Sequence, residues 1–197
     1  MAYWVVQTNY DNAFLLLVEQ NESWCFKYVT PLTSGIPTHA LGTWTIPQVR
    51  FIRDDEIIPE VENPEISPKF MRDSNVTRFR GLHVWDTKAR QCLEPLVGDC
   101  VELLPLECEE TGGSPLWAVN VIRVVDCLDH SQSKINYFRS GNIAGIARYV
   151  FKPGCLEGQH LFRMPEHNYG WVIASDTFKN RVEGCGLTGL VFELAWE

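Results

Sequence analysis

Leu116-Trp-Ala-Val-Asn-Val-Ile-Arg-Val-Val-Asp-Cys-Leu-Asp-His130 is the stretch whose reading decides the fold. It reads as one long strand. From Trp117 to Val125 both alternating faces are largely apolar, the pattern of a central strand covered on two sides. Upstream, Cys100 to Leu106 reads as a second strand, and the turn Glu110-Thr-Gly-Gly-Ser-Pro115 joins the two as an antiparallel hairpin. A helix is expected to start at Asp86, whose carboxylate can accept from first-turn N–H groups, and to end at Gly98. Its apolar face is Ala89, Cys92, Leu93 and Leu96.

Downstream, Ile143 to Phe151, His160 to Met164, Trp171 to Ala174 and Leu190 to Leu194 read as strands. Ser175 or Asp176 caps a short helix that buries Phe178 and Val182 and stops at Gly184 or Gly186. The first seventy residues give Tyr3 to Val6 and Trp24 to Val29 as strands, and Ala13 to Val18 as a buried strand or short helix. Pro31, Pro37 and Pro47 make Leu32 to Thr45 irregular. These elements define an α+β fold, mainly antiparallel sheet with a few short helices. The length fits a single domain over 1–197, with a subdomain over 1–70 as the variant.

The net charge is -8, and its placement matters more than its size. Asp54, Asp55, Glu56, Glu60, Glu62 and Glu65 lie in the base-free, proline-rich strap Asp54 to Pro68. Glu94, Asp99, Glu102, Glu107, Glu109 and Glu110 lie in the base-free stretch Gln91 to Ile122. A field of one sign repels nucleic acid and anionic membrane and steers a basic protein to the surface. The bland alternative is that acidic loops keep the domain soluble. Arg72, Arg78, Arg80, Lys88 and Arg90 form no nucleic-acid stripe, and a solvated face accounts for them.

No apolar run approaches the roughly 18 residues of a membrane span. The N-terminus has neither a signal-peptide basic region nor a lipidation motif. Seven cysteines without paired spacing suggest reduced thiols and a cytoplasmic protein.

Chemical fingerprints are sparse. Cys155, His160, His167 and Cys185 share one region, but no CxxC, HxxxH or HExxH spacing makes them a metal site. There is no GxSxG elbow, Walker pattern or GxGxxG, so no cofactor is expected. Asp126, Asp129 and His130 could serve a small hydrolytic enzyme at the strand's end, although carboxylates there more often cap turns. A third reading is a ligand-binding module with an apolar pocket between the halves. Seven tryptophans are mostly flanked by apolar residues and are expected in the core, and an exposed one beside an acidic strap would be an interface anchor.

Several stretches carry a resemblance: Leu116 to Asp129; Tyr149-Val-Phe151 with Gly158-Gln-His-Leu-Phe-Arg-Met-Pro165; Val172 to Phe178 running into Gly186 to Phe192. In order and spacing they resemble a family of bacterial immunity proteins from polymorphic toxin systems. Asp126 and Asp129 fit the pattern, and His130 stands where members vary. The resemblance implies an antitoxin that binds a cognate toxin encoded beside it, with no cofactor and no catalytic residue of its own. Several such proteins accompany nuclease-type toxins, which implies a basic partner. On that reading the strap acids, with Glu107, Glu109 and Glu110, are the expected partner contacts.

Overall fold

The computed structural model describes residues 1–9, 14–18, 22–52, 74–166 and 171–197. In it the deciding stretch forms β7 (Leu116–Val121) and then leaves the sheet. β7 pairs antiparallel with β6 (Val101–Cys108), from Val101 opposite Val121 to Leu106 opposite Leu116, as the hairpin reading expects. Its other edge takes β5 (Leu82–Trp85), which folds back on β4 (Val76–Phe79). β2 (Phe14–Leu17) and β3 (Gln48–Phe51) complete the set. These six close a barrel in the order β2-β3-β6-β7-β5-β4, with parallel pairing only at β2–β4 and β3–β6.

Alternation sorts the side chains. Leu15, Val49, Phe79, Leu82, Val84, Leu104, Leu106, Leu116 and Ala118 fill the barrel, where Tyr28, Val29 and Leu32 join them. The last three belong to a run of α1 (Glu22–Trp24), a π-helical turn (Cys25–Val29) and α2 (Thr30–Thr33). This corrects the strand expected over Trp24 to Val29. Trp24, Tyr28 and Leu32 recur at helical spacing, and Pro31 sits in the first turn of α2. The Trp24 and Tyr28 rings pack at a tilt, 5.2 Å apart, and each meets Trp44 edge-on at 5.3 Å.

On the other face of β7, Val119 and Val121 pack with Trp85 beneath α3 (Thr87–Val97) and α4 (Asp176–Gly184). Asp86 caps α3 by accepting from the Ala89 N–H at 2.7 Å, and Ala89, Leu93 and Val97 are its buried stripe. Ser175 caps α4, which buries Phe178 and Val182. Beyond the helices lies a four-stranded antiparallel sheet, β10-β11-β1-β12: β10 (Leu161–Phe162), β11 (Val172–Ser175), β1 (Tyr3–Thr8) and β12 (Leu190–Trp196). Val6, Leu161, Val172 and Ala174 face the helices, while Tyr3, Val5, Phe162 and Ile173 bury against Cys127, Leu128, Tyr149 and Phe151. The fold is α+β, as the sequence indicated. A separate hairpin joins β8 (Lys134–Tyr137) and β9 (Ile143–Arg148).

Two further expectations are corrected. The long strand stops at Val121 because the Ile122 and Arg123 N–H groups both turn to the Cys100 carbonyl. The chain then crosses to the second sheet through single bridges, Val124 with Arg163 and Leu128 with Phe151. The thiols are not all reduced: Cys92 on α3 and Cys185 after α4 form a disulfide, their Cα atoms 6.7 Å apart across 93 residues of sequence. Cys25, Cys100, Cys108, Cys127 and Cys155 remain as thiols.

Candidate functional site

Glu107, Glu109 and Glu110 are all exposed at one end of the barrel. Glu107 stands opposite Gln48 in the β3–β6 pairing, and the Gln48 amide donates to its carboxylate. Glu109 and Glu110 lie in a single 3-10 turn, Glu109–Thr111, held by the Thr111 hydroxyl at 2.9 Å from the Cys108 carbonyl and ended by left-handed Gly112. The Glu110 carboxylate accepts the Phe51 N–H at 2.5 Å.

Phe51 lies two positions before the segment 53–73, and Ser74 follows it. Both line one cleft of about 440 Å³, together with Asn75, Asp86, Glu110 and Leu116. The chain therefore enters and leaves that segment beside the Glu109–Thr111 turn. Asp54, Asp55, Glu56, Glu60, Glu62 and Glu65 themselves lie outside the described residues, as does Arg72.

The remaining acids of the base-free stretch have structural partners. Glu94 pairs with Arg90 at 2.8 Å, and Asp99 with Arg123 at 3.0 Å. Glu102 accepts from the Thr38 N–H and hydroxyl and from the buried Asn120 amide. Two members of the basic cluster are engaged likewise: the Arg90 guanidinium lies 4.6 Å from the Trp117 ring centre, and Lys88 donates to the Gly186 carbonyl.

Asp126, Asp129 and His130 go to separate partners. Asp126 takes Lys152 Nζ at 2.7 Å, which holds its carboxyl below the usual range. Asp129 accepts the Ser131 hydroxyl at 2.6 Å and the Ser131 and Gln132 N–H groups, which lower its pKa. His130 Nε2 meets Glu166 Oε1 at 2.6 Å. Lowered carboxyl pKa values suit turn caps and ion pairs rather than a general acid near neutral pH.

Burial pushes Cys127 up to about 12 and Cys100 up to about 11, so both stay protonated. His160 bonds Ser175 Oγ, Cys185 is in the disulfide, and His167 lies outside the described residues. Among the described residues no group of three or more His, Cys, Asp and Glu is placed to hold a metal ion.

Two residues that the sequence did not single out stand together at a larger cleft, of about 580 Å³. They are Glu166 and Trp171, the one exposed tryptophan. Glu166 comes after the buried run Leu161 to Met164 and exposed Pro165, and nothing in those neighbours hints that its own side chain is covered.

The family resemblance carried by β7, β10, β11 and β12 holds over a longer span. A family model described as Immunity protein family (Imm11) matches residues 68–196, about two thirds of the chain, and the chain belongs to that family. No curated protein matches it. Among the described residues no helix is long and apolar enough to cross a membrane.

Proposed function

We propose that this protein is an antitoxin that neutralises a cognate toxin by stoichiometric binding in the cytoplasm of the producing cell. The toxin on this reading is basic and of nuclease type, and the acidic end of the barrel meets its phosphate-binding surface. The observation that carries the reading is the exposed Glu107, Glu109 and Glu110 beside the entry and exit of segment 53–73, in a chain of the immunity family. Asp54, Asp55, Glu56, Glu60, Glu62 and Glu65, which fall in the sequence between those two ends, are proposed as further partner contacts. The whole chain, 1–197, acts as one domain. Pairing of β1 with β11 and β12, and of β2 and β3 with later barrel strands, supports this.

Carboxylates of this kind act chiefly on encounter, because like-signed charges sum over a distance of about 10 Å at moderate salt. Replacing Glu107, Glu109 and Glu110 with Gln should slow association with the toxin roughly five-fold at low salt and flatten its salt dependence. Replacing the six strap acids with Ser or Asn should deepen both effects. Stopped-flow association rates at several salt concentrations measure this. Unchanged rates and slopes would remove these residues from the interface.

A further inference from the structure

The cleft of about 580 Å³ lies between the β8–β9 hairpin, the end of α2 and Trp171. Thr30, Ser34, Phe138, Ile146, Glu166 and Trp171 are among its walls, and Glu166 is the only charged residue lining it among those described. The Glu166 side chain is 6% exposed. One carboxylate oxygen takes the His130 ring, and the other, Oε2, is buried with no hydrogen-bond partner. A covered carboxylate oxygen without a donor is costly and rare, so it calls for a reason. Beside it, Phe138 is 60% exposed and Trp171 45%, so aromatic surface stays in water at the same place.

We propose that this cleft receives one arginine side chain from the protein partner. Two features of the site select that group. A guanidinium offers planar paired donors that match a carboxylate, and it stacks on aromatic faces better than an ammonium does. Glu166 supplies the counter-charge, and its terminal torsion is soft enough to turn Oε2 toward a guest, a turn that also re-aims Oε1 at the exposed His130 ring. Phe138 and Trp171 supply the stacking surface. Exposed Tyr137 continues the aromatic rim along the hairpin past the cleft, which suits a protein surface rather than a small molecule. Arginine among aromatics is also the composition of energetically dominant interface contacts. The identity of the partner as the toxin rests on the reading above. The arginine chemistry does not.

Two arms test this on the full chain. In the first, the tripeptide acetyl-Gly-Arg-Gly-amide and its citrulline counterpart, equal in shape but neutral, are titrated while the Trp171 indole N–H resonance is followed. The arginine peptide should shift that signal saturably, with the citrulline peptide at least about ten-fold weaker. E166Q should abolish the difference between them. Equal response to both peptides, or no response to arginine, overturns the site without needing any variant to fold.

In the second arm, E166Q of unchanged melting temperature is measured against the cognate toxin. Dissociation should speed up about ten-fold or more, with little change in the association rate. Toxin bound by wild type and E166Q alike would overturn the arginine site and leave the antitoxin reading standing. Toxin bound by neither would overturn the antitoxin reading, and the peptide arm would then decide the site.

Discussion

Arg163→Ala should cost the fold about 4 kcal/mol, a large part of the roughly 5–15 kcal/mol that holds a domain of this size together. Arg163 sits where three separate pieces of chain meet. Its Nε donates to the Val121 carbonyl at the end of β7 at 2.9 Å, and its Nη1 to the Thr33 carbonyl at the end of α2 at 2.7 Å. Its own backbone bonds Arg123 and Val125, which ties the crossing segment to the second sheet. The guanidinium is buried with no carboxylate beside it among the described residues, and burial pulls its pKa down to about 10. It remains charged at neutral pH.

Removing the side chain strands two covered carbonyls, at about 1–3 kcal/mol each, and leaves a hole where the stem packed. Gly35 shows how tight the junction is: a Cβ there would lie 2.9 Å from the Val121 oxygen and 3.0 Å from Arg163 Cδ, at a φ of +75°. Arg163→Met, which keeps the stem and drops the donors, should cost about half as much. Urea denaturation of the three proteins measures both losses. A methionine variant as stable as wild type would show that the desolvation of the cation cancels its two bonds.

Asn120→Asp should be nearly as damaging at pH 8, by about 3 kcal/mol, and far less so at pH 5. Asn120 is fully buried on β7, and its amide donates to the Ile36 carbonyl and to Glu102 Oε2, both at 2.9 Å. Aspartate has the same shape but turns the shared donor into a second carboxylate facing Glu102. Two carboxylates at that distance hold one proton between them, so one pKa of the folded pair rises above its unfolded value. The folded variant then binds more protons than the unfolded chain, and its stability falls as pH rises through that raised pKa. The penalty is full above it and fades toward the unfolded carboxyl range near pH 4. Denaturation midpoints of variant and wild type at pH 5 and pH 8 test this. A loss independent of pH would mean that the two side chains do not share a proton.

Legibility in the sequence followed local chemistry. Asp86 and Ser175 announced both longer helices, because a cap and the apolar spacing after it are short-range signals. The β6–β7 hairpin was readable from its Gly-Gly turn for the same reason. Trp24 to Val29 reads as a strand because its β-favouring aromatics outweigh the helical recurrence of Trp24, Tyr28 and Leu32. The β4–β5 hairpin carries no such short-range cue. Its two-residue turn, Arg80 at φ +50° and Gly81 at φ +89°, puts arginine where asparagine or aspartate is the usual cue.

The site divides along the same line. Glu107, Glu109 and Glu110 were legible as charge, and Asp129 as a turn cap. The cleft at Glu166 is shared with the β8–β9 hairpin, some twenty residues earlier, and with Trp171 beyond it. Neither sequence separation nor composition encodes that meeting. The Cys92–Cys185 bond is hidden in the same way, since only the packing of α3 on α4 brings the two together.

Calorimetric titration of the purified toxin with this chain, with residual toxin activity read at each step, tests the central claim most directly. One equivalent should bind, with activity lost in proportion and reaching zero at equivalence. Loss of all toxin activity at a small fraction of an equivalent would show that the protein acts catalytically, and an absence of binding heat with activity intact would show that it does not act on that toxin.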